Sequence, residues 1–524
     1  MQRSVFTNIS RNNRFKQFLF MLGAGLMVLS CQENRLKSDE KKLSAEIILQ
    51  EKEEVERVDR ENRLADSLKK LPPGFRFKED RSVDPSRPPV VIDIAGSLDN
   101  ARDFALSDVA SKITYIRMEK APDSSFARVM KFKYYLMDSN IVAVNPSGII
   151  LYSRKGKYRT TVVKNESTGI EVTADRMTVR GDNTFIGGGT TVWATGKNLF
   201  YKYRNSLTGQ SYIMQYDCSQ PPVNLSMGFD PEKPGKIRGL GEIAIDLNHG
   251  KKADPPKGNA NGMWSAGSGF IYQRLSSMML DRNTYVQQLG SPFDLGGRYI
   301  LGVFNQRGDT LATFSQFEKL DRFSKTVMRG TDQGAQYENK GRFYIRNAFN
   351  DTVFQVLPPN RLLPLYVLKL GKYKLLKKEG MDPEFNLDGK IIPGTWADTK
   401  NNIFLTFSKD SYDCPNTRKS KQLKQYYALF FKSAQKLFLV KGDPGNYDPE
   451  ILKNNLDGGL PVWPSSYMIG SSGEILVSLK GKELKEHVKT ALFSKSTAPA
   501  ARKNELMKLA QSVSDDEDIL MIVE

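Results

Sequence analysis

Histidine is nearly absent from this sequence: His249 and His487 are the two in 524 residues. A Ser-His-Asp triad or a histidine-rich metal centre needs an imidazole held by a partner in a dry site. His249 lies in a Gly/Pro-rich stretch. His487 lies in GKELKEHVKTALFSK, which reads as a surface helix carrying a solvated histidine. Cysteine is almost as scarce, with three residues and no C-x-x-C pair, so neither a structural zinc site nor a disulfide framework is expected. Calcium loops of the D-x-D-x-D-G type are missing. No apolar run reaches the roughly 20 residues that a membrane-spanning helix needs. Motifs alone therefore give no catalytic residue, no metal and no cofactor.

What is present begins at the N-terminus. Arg11, Arg14 and Lys16 form a basic start, with no acidic residue before Glu33. FLFMLGAGLMVLS (18–30) follows with the proportions of a signal-peptide core, and it ends on small Ser30 directly before Cys31. The string VLSC resembles a bacterial lipobox. That resemblance implies an acylated Cys31 as the first mature residue, anchored in membrane lipid by several acyl chains, each buried methylene contributing about 0.8 kcal/mol. Removing residues 1–30 removes four basic and no acidic groups, which lowers the formal charge from +18 to +14. Cys218 and Cys414 then remain, as two buried thiols or as one bridge in an oxidising compartment.

Residues 37–70 carry nine basic and ten acidic residues with no Gly or Pro, a composition for a helical or disordered stalk. Leu71-Pro72-Pro73-Gly74 stops any helix, and a Pro-rich linker follows. From about residue 101 to residue 480 short apolar runs alternate with turns. NIVAVNPSGIILYS (140–153), YILGVFNQRGDTLATFS (299–315), FYIRNAFNDTVFQVL (343–357), TWADTKNNIFLTFS (395–408) and SSYMIGSSGEILVSLKG (465–481) each place β-branched or aromatic residues on both sides of a Gly, Asn or Asp turn. So many hairpins overfill one sandwich. They suit a radial array of four-stranded blades, with two sandwiches or a β-helix as the alternatives. The expectation is an all-β chain with a six-bladed β-propeller, or seven blades at most. The segments are signal peptide 1–30, lipidated stalk and linker 31–100, propeller 101–480, and C-terminal helices with a closing strand 481–524. In the last segment Leu506, Leu509 and Val513 have helical spacing.

DFALSDVASKITYIRME (103–119), FNDTVFQVLPPNRLLPLYVLKLGKY (349–373) and NNLDGGLPVWP (454–464), taken with the lipobox, resemble lipoproteins of Bacteroidota that carry a six-bladed β-propeller of unassigned function. In that resemblance the first string is an opening strand pair. Many such proteins have a Gly-Pro-Gly-Glu type loop after their first hairpin, which residues 154–169 lack. The resemblance implies an outer-membrane lipoprotein. A single acidic residue in Gln32-Glu33-Asn34-Arg35 favours its periplasmic side.

Two Arg-Gly-Asp strings (180–182 and 307–309) read as turn chemistry, and Gly187-Gly188-Gly189 lacks the strand–loop–helix context of a phosphate loop. The basic segments 371–380 and 418–436 would raise nucleic acid in a cytoplasmic protein. In an exported one they fit solubility, an anionic glycan or a charged membrane face, and no nucleic acid. In NNLDGGLPVWP, Asp457 and Trp463 combine a carboxylate with an aromatic face. They are the candidate ligand contacts at the mouth of the channel, and a loop pinned by Trp463 is the structural alternative. The expected role is a tethered binding or scaffold module for an envelope protein or glycan. A propeller enzyme using channel carboxylates on a glycan or lactone is the alternative.

Overall fold

The computed structural model describes residues 52, 55, 56, 58–72, 74–122, 133–137, 139–145, 148–164, 170–172, 192–195, 197–205, 211–219, 236, 237, 241–247, 277–289, 298–318, 332, 334–339, 341–382, 385–409, 425–442, 452–464, 468–470 and 472–524. Cys31, His249, Cys414, the first Arg-Gly-Asp string, the triple glycine and residues 418–424 lie outside these. The chain forms two units, residues 1–73 and 74–524. In the first, residues 58–69 are helical and the turn before the two prolines ends the helix.

The second unit is a six-bladed β-propeller of six small sheets. Blades 1 to 5 take their first four strands or more from residues 133–164, 170–246, 277–315, 335–369 and 391–440. Blade 6 is assembled from both chain ends. Asp518–Val523 lies between Ile475–Lys480 and Ile113–Met118, antiparallel to each. The hairpins expected at 140–153, 299–315, 343–357 and 395–408 all form. Of the one expected over 465–481, residues 465–467 and 471 lie outside the described residues; the rest show a bridge from Ile469 to Ile475, and Ile475–Lys480 pairs with the C-terminal strand.

The reason for continuous apolar strands is visible in blade 1. Val142, Val144, Ile149 and Leu151 pack with Leu199, Tyr201 and Met214 of blade 2. The alternate residues Ile141, Ala143, Ile150 and Tyr152 pack with Leu476, Leu520 and Ile522 of blade 6. Each sheet thus buries both faces, at about 1.5–3 kcal/mol for a fully buried aliphatic or aromatic side chain. The closing strand follows the same rule. Ile519, Met521 and Val523 enter the core shared with blade 5 and the C-terminal helices, and Leu520 and Ile522 face blade 1.

Residues 77–118 run as a belt along the outer edges of successive blades. Phe77 N–H donates to Leu311 O of blade 3 at 2.7 Å, and Asp80 bridges Arg361 of blade 4. Val90–Asp93 then adds a fifth, parallel strand to blade 4, and Ala101–Arg102 does the same for blade 5. Ile113–Met118 ends the belt in blade 6. Within 103–119 the sequence implied a strand pair. The structure has one strand, preceded by the 3-10 turn Leu106–Asp108, and its partner is the C-terminus.

The Arg307-Gly308-Asp309 string does occupy a hairpin turn. Asn305 Oδ1 accepts from the Arg307 and Asp309 amides, and Gly308 has φ +83°. Cys218 is a free buried thiol, and burial pushes it up to about 12, which leaves it protonated and inert at neutral pH. The C-terminal helices are Gly481–His487, Ala491–Lys495 and Ala500–Ser512. They bury Leu484, Phe493, Leu506 and Ala510 against blades 5 and 6.

Candidate functional site

The loop 454–464 joins four parts of the body. On one side Lys453 O accepts from the Leu106 amide at 2.8 Å, and Asn455 pairs with Ser107 through both backbone and side chain. On the other, Ser496 Oγ donates to Asn454 O at 3.0 Å, and His487 Nε2–H donates to Gly458 O at 2.8 Å. His487 is therefore a buried clamp and not the solvated surface histidine expected. Gly481, Leu484 and His487 recur at i, i+3 and i+6, which turns all three onto the body.

Asp457 is 7% exposed. Its Oδ1 accepts from the Gly459 amide and from Asn454 Nδ2, each at 2.8 Å. A side chain at Gly459 would overlap the Tyr115 hydroxyl, so only glycine lets the belt strand approach here. Burial, followed by the neighbouring Asp457 charge, drives the Tyr115 phenol well above its ordinary pKa. Trp463 stands edge-on to Phe404 and Tyr427 of blade 5, with centroids 5.2 and 5.1 Å away. Thus Asp457 is turned onto its own loop and the belt, and Trp463 onto a blade. Among the described residues the buried indole N–H of Trp463 has no hydrogen-bond partner.

A second ionisable cluster sits between blades 4 and 5. Asp398, at the end of the first strand of blade 5, accepts from Lys432 Nζ at 2.5 Å and from Tyr337 Oη at 3.3 Å. Tyr337 stacks on Tyr344 at 4.8 Å and lies 6.2 Å from Trp396. Burial among these rings raises the Asp398 pKa, and Lys432 opposes the shift. A carboxylate so enclosed is a strut between blades, with one lysine for charge balance.

Beside the 454–464 loop, the belt and blade 5 form an open surface pocket of about 210 Å³ lined by Arg102, Asp103, Phe104, Asp108 and Phe431. Phe104, Phe431 and Phe438 form an aromatic cluster with centroids 5.8–6.2 Å apart. The Arg102 guanidinium lies 3.5 Å from the Phe438 centroid and 4.8 Å from that of Phe104. Asp108 Oδ2 accepts from the Ala105 amide at 2.8 Å, which fixes the turn that carries it. Lys441 pairs with Asp103 at 3.8 Å. Reading the sequence missed this group. Its members are more than three hundred residues apart: Asp103, Phe104 and Asp108 fall in a string read as a strand pair, and Phe431 in a segment read for its basic charge. Among the described residues no three His, Cys, Asp or Glu side chains form a metal-sized group, and no helix is long and apolar enough to cross a membrane.

Several solved structures are similar at low identity. A candidate exported protein of Bacteroides fragilis shares 10% identity, with 83% of this chain and 99% of that one covered and a TM-score of 0.48. A protein of unknown function from Bacteroides thetaiotaomicron shares 10%, with 81% and 75% covered and a TM-score of 0.30. One from Bacteroides caccae shares 9%, with 59% and 82% covered and a TM-score of 0.25. No curated protein matches. A family model does match, over residues 72–490, which takes in the belt, blades 1 to 5, the 454–464 loop and the first strand of blade 6. The chain accordingly belongs to the family described as Domain of unknown function (DUF4933).

Proposed function

We propose that this chain is an exported lipoprotein, held at the periplasmic side of the outer membrane by acylated Cys31, whose propeller serves as a non-catalytic binding or scaffold module for an envelope protein or glycan. The observation that carries the reading is the belt. From residue 77 to residue 118 the part of the body that follows the stalk is hydrogen-bonded to the outer edges of blades 3 to 6. Load on the body end of such a tether is shared among several backbone ladders. In this reading Asp457 and Trp463 serve a ligand indirectly, by holding the loop beside the belt.

Two measurements test it together. Metabolic labelling with an alkyne fatty acid should mark the wild-type chain and leave Cys31→Ser unmarked. In-cell cross-linking of the wild-type chain should recover a defined envelope protein or glycan. An unlabelled wild-type chain would overturn the anchoring. Wild-type chain that recovers nothing above a Cys31→Ser control, or that turns over a glycan or lactone, would overturn the module.

A further inference from the structure

We infer that the pocket between the belt and blade 5 is a binding site for one neutral sugar unit. This inference rests on the reading of the propeller as a binding module and names the ligand class. The accessible aromatic surface of the floor is the half-buried Phe431, with Phe104 buried beneath it at 8% exposure. The rim is charged and exposed, with Arg102, Asp103 and Asp108. A sugar presents the same division, an apolar C–H face and a ring of hydroxyls that both donate and accept. Carboxylates accept hydroxyl protons. A guanidinium held 3.5 Å over the Phe438 ring keeps N–H groups with which to donate to a hydroxyl.

Charge and size narrow the class. Within the lining Arg102 offsets one of Asp103 and Asp108, and Lys441, 3.8 Å from Asp103 but outside the lining, offsets the other, so the group as a whole is formally neutral and favours neither an acidic sugar nor a cation. The volume of about 210 Å³ falls below the roughly 300–1,000 Å³ of sites for drug-sized ligands. It therefore suits a single residue, such as the end of a chain, rather than an oligosaccharide. The Asp103–Lys441 contact is long, at 3.8 Å with both side chains mostly exposed, and is free to yield to a hydroxyl.

The test uses the full-length chain in a detergent without a sugar headgroup. Saturation-transfer NMR is recorded with the methyl glycosides of glucose, galactose, mannose and N-acetylglucosamine, and with methyl glucuronide as the acidic comparator. A neutral glycoside should receive saturation. Its affinity should change less than about twofold between about 50 and 300 mM salt, because no net charge is matched. Asp103→Asn and Asp108→Asn should each weaken it about tenfold, the scale of one charge-assisted hydrogen bond, with unchanged thermal melting. Asp103 is exposed, and asparagine at 108 keeps an acceptor for the turn, so both variants fold. Saturation of none of the neutral glycosides, tighter binding of the glucuronide with a steep salt dependence, or full affinity in both variants would each overturn the assignment. Capture of an envelope protein in cells alongside such a result would leave the module standing and remove only the sugar.

Discussion

Replacing Asp332 by alanine should destabilise the propeller more than any single exposed substitution. The side chains of Asp332 and Arg346 are 4% and 2% exposed. The guanidinium donates twice to the carboxylate, Nη1 to Oδ2 at 2.9 Å and Nη2 to Oδ1 at 2.7 Å. The same carboxylate accepts from the Phe349 and Gly334 amides, both at 2.9 Å. Phe349 has φ +61°, an unusual conformation for a bulky residue that this hydrogen bond helps to hold. Alanine strands a buried guanidinium, which costs about 3–5 kcal/mol, and leaves two amides short of an acceptor. Against a total stability of about 5–15 kcal/mol, that is a large fraction. Urea unfolding followed by tryptophan fluorescence reads the difference. The paired change Asp332→Leu with Arg346→Met should lie closer to wild type than Asp332→Ala does, since it removes both charges. A loss below about 1 kcal/mol for Asp332→Ala would refute the claim that this pair is desolvated and mutually dependent.

Two further outcomes follow from the seam between the chain ends. The Arg117 hydrogen bond holds the Glu517 carboxyl below its ordinary 4.5. A lowered carboxyl stabilises the fold above the unfolded value and loses that contribution as pH falls through the folded one. Glu517→Gln should therefore cost about 0.5–1 kcal/mol at pH 7, and the difference from wild type should shrink as pH falls below 4.5 and vanish below the lowered folded value in parallel urea titrations. A side chain at Gly481 would run into the Ser514 carbonyl oxygen. Gly481→Ala should cost about 1–3 kcal/mol in the same assay, despite the better helix propensity of alanine.

Most of the ring was legible in the sequence because its units are local. In 140–153 or 395–408 both strands and the turn lie within fifteen residues, and two-sided burial writes itself as unbroken apolar runs. Blade 6 was legible only in its parts. The apolar tail announced a strand, but the partners of Ile475–Lys480 and Ile113–Met118 are set by ring closure, which no local pattern encodes. The belt hid for a related reason: Val90–Asp93 is four residues long and follows Pro88-Pro89, so it reads as linker. His487 looked solvated because Lys485 and Glu486 flank it, while its own helical phase points inward. In NNLDGGLPVWP the glycines and prolines promised a special bend, and Gly459 packing under Tyr115 gives the reason. The pocket beside it depends on Arg102 and Phe431 meeting across the fold, information that exists only after blade 5 has accepted its parallel fifth strand.

The central claim is that the last strand of the chain closes the ring from inside a sheet, hydrogen-bonded on both edges. Hydrogen–deuterium exchange of the intact protein tests it directly, because terminal residues ordinarily fray. The amides of Asp518–Val523 should exchange as slowly as those of Asn140–Asn145 in blade 1, through global unfolding alone. Complete exchange of Asp518–Val523 within seconds, with blade 1 still protected, would contradict the closure.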